Sequence, residues 1–226
     1  MMIDEWPLRR LNPLSLRIAL FILFSLFFSA CVGLNKPSPD ITQYTLQYDP
    51  PAKSQGNALP VVLKVERFQV APEFNTFQMV YGESAFERNV YHYHQWRSNP
   101  GDLVTYALMR DLRNSGSFFG VLPRESPIRP THILEGMVDQ FYEKDGSNSC
   151  DAVLTMGITL MVMGEPDITK RILLQKSYHE VEPCDRRNPV ALAKAMSQAM
   201  GRISGKIIKD LETSLGPPPI DTQRSP

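Results

Sequence analysis

Cys31, Cys150 and Cys184, the imidazole pair His92 and His94, and the serine of Gly201-Arg-Ile-Ser-Gly205 are the side chains whose type and spacing invite chemistry. Thiols accept acyl groups or oxidise in pairs, imidazoles ligate zinc, and a serine flanked by glycines suggests acyl transfer. The serine fails first. Its motif is one position off the G-x-S-x-G order and sits inside a helical pattern, where no sharp turn would expose it. Ser204-Gly-Lys206 likewise lacks the spacing and the following Ser or Thr of a phosphate loop. His92 and His94 have strand spacing, which puts both rings on one face. Zinc takes three or four ligands, and His132 and His179 lie elsewhere with no acidic cluster to complete a set. The pair reads as a solvated face beside an aromatic face of Tyr91 and Tyr93. No metal, no cofactor and no catalytic residue is expected, and the chain reads as a non-enzyme.

Cys31 has a different context. Arg9, Arg10 and Arg17 precede an uncharged apolar run, residues 18–30, ending in Ser29-Ala30. A charged start, a short apolar core and small residues at the cut are the layout of an export signal. Thirteen residues make a helix of about 20 Å, against the ~30 Å of a bilayer core, so the run suits a removable signal better than a permanent span. A cysteine directly after the cut resembles the bacterial lipobox, in which that thiol receives a diacylglycerol and the new amino terminus is acylated. Phe28 stands where Leu is usual. Several acyl chains would meet the need for more than one chain in stable anchoring. An ordinary secreted protein cut near Ala30 is the alternative. In lipoproteins of this type an Asp after the cysteine commonly retains the protein at the inner membrane. Val32 implies delivery to the outer membrane, on its periplasmic face.

Cys150 and Cys184 flank two apolar alternating segments, residues 152–163 and 172–182, joined by Gly164-Glu-Pro-Asp167. An antiparallel pairing centred on Asp167 sets Cys150 opposite Cys184 and Leu160 opposite Leu174. It also puts Ala152, Leu154, Met156, Ile158, Leu160 and Val162 on one face with Ile172, Leu174 and Tyr178. Two hints thus agree on one register. A disulfide across the hairpin base is ordinary chemistry for an exported protein, with two unpaired thiols as the alternative.

The 226 residues leave one large domain or two small ones after the leader, enough for a substantial core. Lys plus Arg and Asp plus Glu stand at 24 each; the leader removes three bases and two acids, so the mature chain stays near neutral. With no basic patch, nucleic acid is excluded as a partner. The 19 prolines cluster at 37–60, 123–130 and 217–226, which read as linker, loop and tail. Residues 1–30 are expected to be the signal, 31–40 the lipidated cysteine and tether, 41–215 one folded domain, and 216–226 a disordered tail.

Strand alternation is expected at 43–48 (Tyr44, Leu46 and Tyr48 on one face), 61–68, 77–81, 89–96 and 131–144, besides the hairpin. Asn99 caps and Pro100 opens a helix with Leu103, Val104, Ala107, Leu108 and Leu112 inward, stopped by Gly116. Asn188 and Pro189 open a second, to about Leu215, with the stripe Leu192, Met196, Ala199, Ile203, Ile207 and Leu211. Gly201 and Gly205, four apart, suggest close packing of that helix on the sheet. The fold class is α+β, a mostly antiparallel sheet with two helices on one face. Tyr91, Tyr93 and Trp96 are amphipathic aromatics of the kind enriched at contact surfaces, and are candidate partner or lipid contacts; core placement is the alternative.

Cys31, the Tyr44-Thr-Leu46 strand, Val80-Tyr81, the spaced Tyr91 and Trp96, the Pro100-led helix, Leu134-Glu-Gly136 and the Ala-rich helix 191–211 together, in this order, resemble the ABC-type transport auxiliary lipoproteins. The resemblance implies an outer-membrane lipoprotein accompanying an ATPase, a permease and a periplasmic MCE-domain protein that carries lipids between membranes. In that role it would dock the MCE protein. A homo-oligomer stays open. Alternatives are a lipoprotein that itself holds a lipid in a pocket near Met156, Met161 and Met163, or a subunit of another envelope assembly.

Overall fold

One strand of 14 residues, β7 (His132–Asp145), organises the sheet. The computed structural model describes residues 40–216 apart from 85, 147 and 148, together with Leu14, Arg17 and Ile18. Cys31, the tether as far as Pro39, the tail beyond Gly216 and all but three residues of the leader lie outside the described residues. Before β7 come β1 (Thr42–Tyr44), β2 (Leu59–Val65), β3 (Gln69–Val70), β4 (Gln78–Gly82), β5 (Asn89–Trp96), helix α1 (Pro100–Ser115) and β6 (Phe118–Pro123). After it come β8 (Cys150–Val162), the one-turn α2 (Ile168–Arg171), β9 (Ile172–Pro183) and the long α3 (Pro189–Leu215).

The described residues form one nine-stranded sheet. Along one edge β7 pairs antiparallel with β8 from His132 to Asp145, and β8 pairs antiparallel with β9. Along its other edge it takes three partners in succession, all parallel: β2 at His132–Leu134, β3 at Met137 and Val138, and β4 at Glu143 and Lys144. β4 pairs antiparallel with β5, while β1 on β5 and β6 on β2 are parallel. The class is α+β, with its long ladders antiparallel and short parallel strands added around them.

Alternation decides what faces inward. Leu134, Gly136 and Val138 point toward the helices; an irregularity between Val138 and Gln140 shifts the parity, so Phe141, Glu143 and Asp145 continue that face. Gly136 is needed there. A Cβ would meet the Phe68 ring at 2.2 Å and the Gly157 carbonyl at 2.5 Å. The Leu-Glu-Gly run therefore lets Phe68 enter the core beside Leu134, with both side chains fully buried.

Both helices begin where their caps require. The Asn99 side chain accepts from Gly101 N–H at 3.0 Å and the Asn188 side chain from Ala191 N–H at 2.9 Å, each followed by proline in the first turn. Gly116 ends α1 in left-handed backbone. The α3 stripe from Leu192 to Leu211 is buried as the spacing requires.

Gly201 packs differently from expectation: a Cβ would meet the Tyr48 ring at 2.9 Å, so the close approach is to the segment after β1 and not to the sheet. The Tyr48 hydroxyl donates to Asp111 at 2.6 Å, and the Arg110 guanidinium stacks 4.4 Å over its ring. Gln47 N–H donates to Ser197 Oγ at 3.0 Å. The chain is thus fixed across both helices directly after it enters the domain.

Candidate functional site

The base of the β8–β9 hairpin brings together most of the polar chemistry. Cys150 and Cys184 are joined in a disulfide, with Cα atoms 5.3 Å apart. Cys184 N–H donates to the Cys150 carbonyl at 2.8 Å, and Leu160 lies opposite Leu174, the register expected from the cysteine spacing. Ile172, placed on the inner face by that reading, is instead exposed, because the ladder shifts between Leu160 and Met161.

Four carboxylates near this base face inward: Glu143, Asp145, Glu180 and Glu182. The Tyr91 hydroxyl donates to Glu143 at 2.9 Å. Arg187, in the loop before α3, binds Asp145 and lies 3.6 Å from Glu83 of the β4–β5 loop. Burial, the largest effect, pushes Glu143 above the usual carboxylate range; Asp145 adds to the rise, and the hydrogen bond from Tyr91 and the charge of Arg187 oppose it. Burial, with Glu143 as acceptor, also raises Tyr91.

Glu180 and Glu182 are held by α3. Arg202 lies 2.5 Å from Glu182, Lys206 pairs with Glu180, and Asp210 accepts from Lys176 and from the Tyr178 hydroxyl at 2.8 Å each. Four helical residues advance about 6 Å and two strand residues about 6.6 Å. The near match lets one antiparallel ladder of polar contacts fix the helix register over β9. Nothing in the sequence reading named these pairs.

The candidate contact aromatics separate. Tyr93 is exposed and Tyr91 half-buried, whereas Trp96 is 1% exposed, with its ring 5.1 Å from Phe141. Trp96 is therefore a core residue, not a surface contact: it ends β5 on the inner face, where large rings fill the core. The histidines separate too. Pairing of β4 with β5 shifts between Gln78 and Val80, which breaks the alternation in β5. His94 turns to Tyr44 (3.1 Å) and edge-on to Tyr91, while His92 sits beside Tyr93. Among the described residues no group of three or more His, Cys, Asp or Glu side chains is placed to hold a metal. Ser204 is fully buried.

Among the described residues the outer face of β7–β8–β9 carries no helix, and it forms an open groove of about 720 Å³. Ile133, Met137 and Met161 supply its apolar floor, with Glu135, Arg124 and Lys176 among the charged groups around it. Gly157, without a side chain, leaves the floor open. Of the three methionines expected around a pocket, Met161 lines this groove, Met163 is exposed and Met156 is core. A mixed, open groove suits a protein surface better than an enclosed acyl chain. No described helix is long and apolar enough to cross a membrane.

Two solved structures share the architecture. A Xanthomonas campestris protein of the DUF330 family is 17% identical with a TM-score of 0.69, covering 76% of this chain and 95% of that one. An uncharacterised protein is 15% identical with a TM-score of 0.58, covering 76% and 99%. At such identities the likeness is one of fold. No curated protein matches the chain in sequence.

The sequence model of the ABC-type transport auxiliary lipoprotein component matches residues 44–208, from β1 well into α3, and the chain belongs to that family. Cys31 precedes the matched residues.

Proposed function

We propose that this protein is a non-enzymatic lipoprotein held to the periplasmic face of the outer membrane through acylated Cys31. There it docks the periplasmic MCE-domain protein of an ABC-type lipid transport system. The observation that carries the reading is the family match over residues 44–208, preceded in sequence by a signal-like run directly before Cys31. The fold supports it physically. Helix α3 is locked in register by its ion pairs, the hairpin base is cross-linked, and Tyr48 fixes the entering chain. A rigid body on a short tether can orient a partner, while the partner ATPase supplies energy and the permease the path.

The anchor is tested by labelling cells with radioactive palmitate and separating their membranes. Label in the protein and its recovery with outer membranes, both lost in Cys31→Ser, are expected. An unlabelled protein whose Cys31→Ser variant still fractionates with outer membranes contradicts the reading.

A further inference from the structure

We infer that the end of the domain where the chain enters is a second membrane-contacting surface, with Phe86, Tyr93 and Ile41 lying against the lipid bilayer. This rests on the proposed anchoring through Cys31.

The strand pairings place these residues. β1 runs parallel to β5 with Thr42 beside His94, so Ile41 lies level with Tyr93 and Asp40 lies one step nearer the start of β5. Glu83, Phe86 and Glu87 of the β4–β5 loop lie at the same end, because Tyr81 pairs with Asn89. β4 runs parallel to β7 with Gly82 beside Lys144, which brings Gly146 and Ser149 there too. Arg187, joined to Asp145 and Glu83, adds the loop that leads into α3.

This end shows apolar side chains to solvent. Phe86 is 100% exposed, Val190 65%, Ile41 55% and Tyr93 54%. Around them stand Lys144, Arg186 and Arg187 with Glu83, Glu87 and Asp185. Phenylalanine and tyrosine within a rim of mixed charge suit the interfacial zone of a bilayer, where rings meet acyl chains and charged groups stay in water. The balance of signs means contact depends on apolar insertion more than on anionic headgroups.

Tether length selects the occupant. Nine residue steps separate Cys31 from Asp40, which can span at most about 30 Å. A single 14-residue strand such as β7 is itself about 45 Å long. The acyl chains therefore hold the entry end against the bilayer and keep the far end in the periplasm. That far end carries Phe119, 78% exposed; β2 and β6 pair Leu59 with Phe118, upstream of the level where Leu63 meets His132. A second contact gives the domain a fixed orientation at the membrane, with the far end turned outward.

With Cys31 acylated and Cys150 bonded to Cys184, an introduced cysteine is the sole free thiol in the mature chain. Nitroxide labels are placed on the lipidated full-length protein as Phe86→Cys, Tyr93→Cys and, for comparison, Phe119→Cys, in vesicles of phosphatidylethanolamine and phosphatidylglycerol. Collision rates with oxygen and with a water-soluble nickel chelate report depth. At positions 86 and 93 the oxygen-to-nickel ratio is expected to be several-fold above that at 119, and unchanged by added salt. Acyl mass on Cys31 and flotation with the vesicles are read from the same sample. Acylated, floating protein whose labels at 86 and 93 are as open to nickel as the label at 119 overturns this inference and leaves the anchor standing. Protein without acyl mass that fails to float overturns the anchor, and this inference with it.

Discussion

Arg202 on α3 lies 2.5 Å from the carboxylate of Glu182 on β9, and Glu182 is only 2% exposed. The next helical turn pairs Lys206 with Glu180, and the one after brings Asp210 to Lys176 and Tyr178. A slip of α3 by one turn would leave either Glu180 or Glu182 without its cation. The ladder thus specifies register as much as it stabilises.

Arg202→Met removes the cation and leaves Glu182 unpaired, at a cost of about 1–3 kcal/mol. Adding Glu182→Leu removes the stranded charge, and most of that loss is expected to return. Denaturant unfolding of the three proteins checks this. Equal instability of single and double variants would mean that packing of the Arg202 stem, and not charge, matters.

The Cys150–Cys184 bond closes a loop with a sequence separation of 34. Replacing both cysteines by serine should cost about 3–4 kcal/mol on the chain-entropy model. Unreduced digests of the exported protein should show the two peptides linked. Free alkylation of both thiols would contradict the bond.

Glu143 gives a pH dependence of definite sign. Its folded pKa is raised, so the native state binds more protons than the unfolded chain between the two values. Its contribution is fully present below the ordinary carboxylate pKa and is lost as pH rises through the raised one. Glu143→Gln keeps an oxygen for Tyr91 but carries no charge. The variant should gain stability relative to the parent on going from pH 4 to pH 8. A difference that shrinks over that range contradicts the assignment.

The chain has two tryptophans, Trp96 and Trp6, the latter within the proposed signal. The core position of Trp96 predicts blue-shifted emission that acrylamide barely quenches until the protein unfolds. Trp96→Ala should cost about 3–5 kcal/mol, whereas Tyr93→Ser should stay within about 0.5 kcal/mol. Ready quenching of the folded protein would return Trp96 to the surface.

Local signals carried much of the fold into view. Asn99-Pro100 and Asn188-Pro189 fix where the helices start, and the Cys150–Cys184 spacing agrees with apolar alternation on the hairpin register. What escaped depends on distant partners. β3 is two residues long, and β6 contains Gly120 and ends at Pro123, so neither is among the expected strands. No local pattern reveals that β2, β3 and β4 pair in turn along one edge of β7. Glu143, Glu180 and Glu182 look solvated in sequence because charge usually faces water. The one available signal was the match between Arg202 and Lys206, four apart on a helix, and two glutamates two apart on a strand. At the site, Tyr91 and Tyr93 were legible as strand aromatics, but the break in the β4–β5 pairing that separates His92 from His94 was not.

The central claim is docking, and affinity purification from solubilised envelopes tests it most directly. With the acylated protein as bait, an MCE-domain protein is expected to co-purify, and its yield should fall sharply for Cys31→Ser, which places the body away from the membrane. Recovery of the intact lipoprotein without any MCE-domain protein, even after chemical crosslinking in cells, would contradict the account.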